Sequence, residues 1–166
     1  MKAEAKDVLR LKDVPVDEII HLLDRFGIEL VHCEISLPIP SSFWGEDEAG
    51  ICGNSLFARN DTPIHSILHE AGHYICADDQ RRASLDRDAG SDDDEESAVC
   101  YLQVLLAEQL NCYGKGRIFS DMDLWGYSFR LGSTRAWFEN DAADACHWLT
   151  QSAIIDSSGL TFRLAH

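Results

Sequence analysis

The chain has 166 residues, the length of one domain, and its 45% hydrophobic content is enough to build a core without metal or disulfide staples. Its 29 acidic against 14 basic residues leave a formal charge of −15, which argues against nucleic acid and anionic membrane surfaces as partners and favours a basic peptide or protein. The six cysteines contain no C-x-x-C pair, residues 1–7 are charged rather than an apolar leader, and nowhere do about 18 apolar residues follow one another, so the chain reads as a soluble cytoplasmic protein with reduced, mostly buried thiols.

Residues 14–26 place Val16, Ile19, Ile20, Leu22, Leu23 and Phe26 at helical spacing behind the acidic pair Asp17 and Glu18, with Gly27 as the stop. Residues 28–34 read as a strand, and 35–42, broken by Pro38 and Pro40, as an irregular connection. A further strand is expected within 50–59, leading to Thr62 as N-cap and Pro63 as the first residue of a helix whose apolar positions are Ile64, Ile67, Leu68, Ala71 and Ile75. The stretch 86–94 is an acidic loop by composition. Its Asp86, Asp88 and Asp92 invite comparison with a calcium-binding EF-hand, but the glycine and the distal glutamate that such a loop requires are replaced by Ser91 and Ser97. A second long helix is expected from Glu95 to Tyr113, with Gly114 as its stop. The aromatic region 117–148 completes the core, with helix from Ser133 onward in two pieces around Asn140 and Asp141.

The residues that carry chemistry are His69-Glu70-Ala71-Gly72-His73. Two imidazoles at i and i+4 share one helical face, and zinc accepts neutral nitrogen ligands while a catalytic site keeps one position open for water. Glu70, a carboxylate beside that position, is the candidate general base. Gly72 is costly inside a helix, which implies that another element approaches closely there. Ferrous iron is an alternative metal for two histidines and one carboxylate.

The third ligand is expected from the start of the second helix, where Glu95 and Glu96 are the candidates. Glu95 is preferred because it shares a face with Val99, Leu102 and Leu106, the apolar residues expected to hold the two helices together; Glu96 lines up with Cys100, Gln103 and Ala107. Tyr127, Arg130 and Arg135 are candidate donors to a developing oxyanion, because the glycines around them let a loop approach the site. His65, one turn before His69, is a candidate supporting residue.

Over roughly residues 50–113, the five-residue motif followed by Glu95-Glu96-Ser97-Ala98-Val99-Cys100-Tyr101-Leu102 resembles the small bacterial gluzincin metallopeptidases. The resemblance implies an α+β, minimal zincin-like fold over residues 1–166. A small mixed or mostly antiparallel sheet would pack on the motif helix and on a second, glutamate-bearing helix, followed by a helical C-terminal part. It implies one Zn2+ ion, a water nucleophile, Glu70 as base and hydrolysis of a peptide or protein substrate lying along an edge strand within 50–59. The chain departs from those relatives four residues after the ligand glutamate, where they carry Asp or Asn to orient a histidine and this sequence has Val99 or Cys100. A binding or regulatory protein that keeps the scaffold without peptidase activity is the alternative reading.

Overall fold

The computed structural model describes residues 8–42, 46–86 and 91–166. The charged residues 1–7 and Asp88 of the acidic stretch lie outside the described residues. The architecture is mixed α+β, with seven α-helices, one three-stranded sheet and one two-stranded sheet among the described residues. No helix there is long and apolar enough to cross a membrane.

A 3-10 turn at Leu11–Asp13 leads into α1 (Val16–Asp24), which buries Ile19, Leu22 and Leu23 and ends where Gly27 adopts φ +74°. Strand β1 (Glu29–His32) follows. The single strand expected within 50–59 is instead a hairpin, β2 (Gly50–Cys52) and β3 (Ser55–Ala58), because Gly53 takes a left-handed conformation at φ +56° and reverses the chain. The sheet order is β1-β3-β2, parallel between β1 and β3 and antiparallel between β3 and β2.

The motif helix α2 (Ile64–Cys76) lies against β2 and β3 on one side and a later helix on the other. Thr62 does not cap it, since its Oγ1 accepts the backbone N–H of Arg59 in the preceding turn at 2.8 Å. The backbone N–H of Ala49 donates to Ser66 Oγ at 2.9 Å, joining the segment before β2 to the helix. After α2, Asp78 caps the short α3 (Asp79–Ala83), a stretch that carried no helical expectation.

The next long helix, α4 (Asp93–Glu108), begins two residues before Glu95, with Asp92 accepting the Glu95 N–H at 2.8 Å as its cap. It packs against α2 and also against α5 (Lys115–Trp125) and α7 (Ala143–Gln151), so it is apolar around most of its circumference. Gly114, expected as its stop, instead stands at the N-cap of α5, a helix absent from the sequence-based expectation. Helices α6 (Thr134–Asn140) and α7 divide at Asn140 and Asp141 as the pattern predicts. A small hairpin, β4 (Ile155–Asp156) and β5 (Gly159–Leu160), follows. The cysteines are all free, but only Cys76 and Cys100 are buried; Cys33, Cys112 and Cys146 are partly exposed and Cys52 is exposed, so the expectation of mostly buried thiols is corrected.

Arg82 is a buried cation at the C-terminal end of α2. Its Nε donates to the Tyr74 carbonyl at 2.9 Å, Nη2 donates to the carbonyls of both Ala77 and Ala165, and Nη1 meets Asp79 at 2.7 Å. The guanidinium thus satisfies carbonyls that the helix end leaves open and lies at the negative end of the helix dipole. Replacing Arg82 with Met is expected to lower the unfolding free energy by about 3 kcal/mol, read by urea denaturation, because buried carbonyls lose their donors.

Candidate metal centre

Helix α2 presents His69 and His73 side by side toward the first turn of α4. Their Nε2 atoms stand 3.1 Å apart; Glu96 Oε1 is 3.0 Å from His69 Nε2 and Glu96 Oε2 is 3.3 Å from His73 Nε2. Imidazole nitrogens and a carboxylate this close together need a shared hydrogen or a metal ion between them. For zinc bonds of about 2.0–2.1 Å, neighbouring ligands of a tetrahedron lie about 3.3 Å apart, so the three groups fit one face of such an ion. Glu96 is 43% exposed, which puts its side of the cluster toward solvent.

The expectation that Glu95 supplies the third ligand is corrected. Glu95 is only 6% exposed and receives both terminal nitrogens of Arg81 at 2.8 and 2.7 Å, on a different side of the helix from the histidines. The face that binds α4 to α2 carries Glu96, Cys100 and Gln103, polar residues at intervals of four and three within an otherwise apolar helix. That polar stripe was the available signal for the ligand, and the apolar face through Glu95 obscured it because α4 is buried on several sides.

Gln103 supplies the support missing from the position after the glutamate. Its Nε2 donates to the backbone carbonyl of His65 at 2.8 Å, a group that can only accept, so the amide must turn Oε1 toward His69 Nδ1, 2.8 Å away. His69 Nδ1 therefore carries a proton, and in the neutral ring the Nε2 lone pair faces Glu96 and His73. Ser91 Oγ donates to Glu96 Oε2 at 3.1 Å and orients the carboxylate.

The remaining candidates divide. Glu70 follows His69 directly, and burial, opposed by the His69 charge and reinforced by Glu96 and Glu48, pushes its carboxyl up to about 7. Tyr127 is near the centre but not as an exposed donor: its hydroxyl accepts from Gln103 Nε2 at 3.3 Å and meets His65 Nδ1 at 3.3 Å, which corrects its expected role at an oxyanion. Its phenol belongs to the scaffold behind His69, and His65 joins it there. Arg130 pairs with Asp141, and Arg135 lies over the Phe119 ring near Glu139, so neither arginine faces the cluster.

Two residues went unassigned from sequence. Gln103 is the first, and Cys100 is the second: its Sγ lies with donor atoms of His69 and Glu96 in a group whose members are all within 4.8 Å of one another. This set of His69, Glu96 and Cys100, in which only Cys100 is buried, can hold a metal ion. Burial and the Glu96 charge hold the Cys100 thiol far above its usual range, so without a metal it is protonated. His73, although outside that set, is nearer to both His69 and Glu96 than 4.8 Å, and the nitrogen and oxygen distances argue for it as a ligand.

Gly72 sets the spacing of the two helices. A Cβ there would lie 2.9 Å from Val99 Cγ1, closer than carbon atoms pack, which is the close approach that the glycine implied. No protein-family model, curated protein or solved structure matches the chain.

In the metal-free centre the cation is a proton. Burial alone would lower the His69 pKa, but the hydrogen bond and charge of Glu96 outweigh it and push the value up to about 9; burial would raise Glu96, but His69 and His73 bring it down to about 2. The raised histidine stabilises the fold fully below its ordinary 6.5 and loses that contribution as pH rises through 9; the lowered carboxylate contributes above its ordinary 4.5 and is lost as pH falls through 2. Chelator-treated protein should therefore show a thermal midpoint that declines between pH 6.5 and 9, and Glu96→Gln should flatten that decline. Gln103→Leu should weaken binding of any divalent ion at this centre by about tenfold or more in a competition titration, because His69 loses its orienting acceptor.

Proposed function

We propose that the protein is a zinc-dependent peptidase of the gluzincin type, in which His69, His73 and Glu96 hold the ion and Glu70 is the general base. The observation that carries the reading is the convergence of both motif imidazoles and one carboxylate of the neighbouring helix within 3.0–3.3 Å on the side open to solvent. The packing of α2 between a small mixed sheet and α4 is what a minimal zincin-like fold requires. A divalent ion bound there would polarise a substrate carbonyl and acidify a coordinated water.

The protein groups supply the rest. Glu70, the carboxylate next to His69, would take the proton of the attacking water and deliver it to the leaving amine nitrogen. Gln103 holds His69 in one tautomer, and Ser91 holds Glu96, so the ligand set does not reorganise during the reaction. Of the two edge strands, β2 lies against α2, but its start is covered: a Cβ on Gly50 would overlap the Pro40 carbonyl. A substrate strand pairing with this edge would therefore align beyond Gly50.

The expected outcomes separate ligands from chemistry. Glu70→Gln should keep stoichiometric zinc by elemental analysis and lose about a hundredfold or more in the rate of peptide cleavage. His73→Ala and Glu96→Ala should lose the metal, whereas Glu95→Gln should retain it. Zinc retention in Glu96→Ala together with loss in Glu95→Gln would reverse the ligand assignment.

Cys100 favours a second reading, a closed regulatory or structural centre without peptidase activity. With three protein ligands a zinc site keeps room for water, but a cysteine thiolate as the fourth would fill it. Cobalt substitution distinguishes the two. The peptidase reading expects no thiolate-to-cobalt charge-transfer absorption, while a strong near-ultraviolet band abolished by Cys100→Ser would establish the closed centre.

A further inference from the structure

An open groove of about 620 Å³ lies between the first turn of α4, helix α7 and the segment 128–130, away from the face of α4 that carries Glu96 and Gln103. Its rim is nonetheless close to the metal cluster in the chain. Ser97 of the groove is the residue after Glu96, and Ser128 is the residue after Tyr127, so each shares a backbone step of about 3.8 Å with a residue of the centre or its support.

The walls combine aromatic surface with negative charge. Phe129 and Trp137 stack with ring centroids 4.6 Å apart and planes 20° apart, and Trp148 adds a third ring. Asp94 comes from α4 and Asp144 from α7. Capping does not require Asp94, because Asp92 already accepts the N–H of Glu95. Arg130, 79% exposed, stands at the rim and pairs with Asp141. Once that pair is set aside, Asp94 and Asp144 are the remaining acidic residues of the lining, and His147 of α7 lines the same groove. An aromatic wall with carboxylates on two sides favours a cation on a flexible apolar stem, since rings stabilise the charge and cover the methylenes.

We propose that this groove is a subsite for a lysine or arginine side chain of the polypeptide substrate, set to one side of the metal centre. The proposal depends on the peptidase reading for calling that polypeptide a substrate, so binding and cleavage are measured separately. Metal-free full-length protein is titrated into a fluorescent lysine-containing decapeptide, and into its counterpart with every lysine replaced by glutamine, with anisotropy as the readout.

The lysine peptide should bind about tenfold tighter than the glutamine peptide, and Asp94→Asn/Asp144→Asn should weaken it about fivefold or more. Asp17→Asn/Asp24→Asn on exposed positions of α1 removes the same charge elsewhere and should change binding less than about twofold. Trp148→Leu, which leaves charge untouched, should also weaken the lysine peptide. Equal binding of the two peptides would overturn the proposal, as would equal losses in the groove and α1 pairs, which would assign binding to overall charge. In a parallel zinc-loaded assay, groove-dependent binding without cleavage would keep the subsite and sink the peptidase reading. Cleavage with an unchanged KM in the Asp94/Asp144 variant would do the reverse.

Discussion

The close approach of α2 and α4 at Gly72 is the constraint on which the centre depends. Val99 Cγ1 occupies the space that any side chain at position 72 would need, and the consequence appears along both helices. One turn from that contact, Glu96 reaches His69 and His73; further along α4, Gln103 reaches His69 from behind. A helix pair held an ångström or two farther apart would separate the carboxylate from the imidazoles beyond the reach of one cation.

That geometry concentrates polar groups inside an apolar structure, and it is tolerated because each has a defined counterpart. Gln103 is fully buried, yet its amide serves His65, His69 and Tyr127 together. Arg82 collects the carbonyls at the end of α2, while Arg81 neutralises Glu95 on the far side of α4's first turn. The two glutamates next to each other in sequence consequently have separate tasks: Glu95 anchors α3 to α4, and Glu96 faces the histidines. Satisfied networks of this kind also make a unique register between helices, since sliding either one would strand several buried groups at once.

The surface of the molecule extends the same charge logic outward. Acidic residues gather at the start of α4, where Asp92 serves as cap, Glu96 faces the centre and Asp94 lines the aromatic groove. One helical turn thus contributes the cap of α4, the carboxylate that faces the two imidazoles and part of the groove wall.

Much of this was legible in the residues. The motif His69-Glu70-Ala71-Gly72-His73, the helix that carries it, the helices divided at Asn140 and the need for a close neighbour at Gly72 all follow from local rules of spacing, capping and side-chain size. The hairpin at Gly53 and the helix after Gly114 were not, because a glycine marks a break without stating which elements flank it. The choice between Glu95 and Glu96 belonged to the tertiary structure. Periodicity identifies the ligand face of a helix only when one side is buried, and α4 is covered by α2, α5 and α7 together. The sequence alone determined that two imidazoles and a carboxylate share a helical turn. Only the packed helices decided that Glu96 faces His69, that Gln103 orients that ring and that Tyr127 lies behind it, because those contacts join residues 24 to 38 positions apart, whose meeting no local rule specifies.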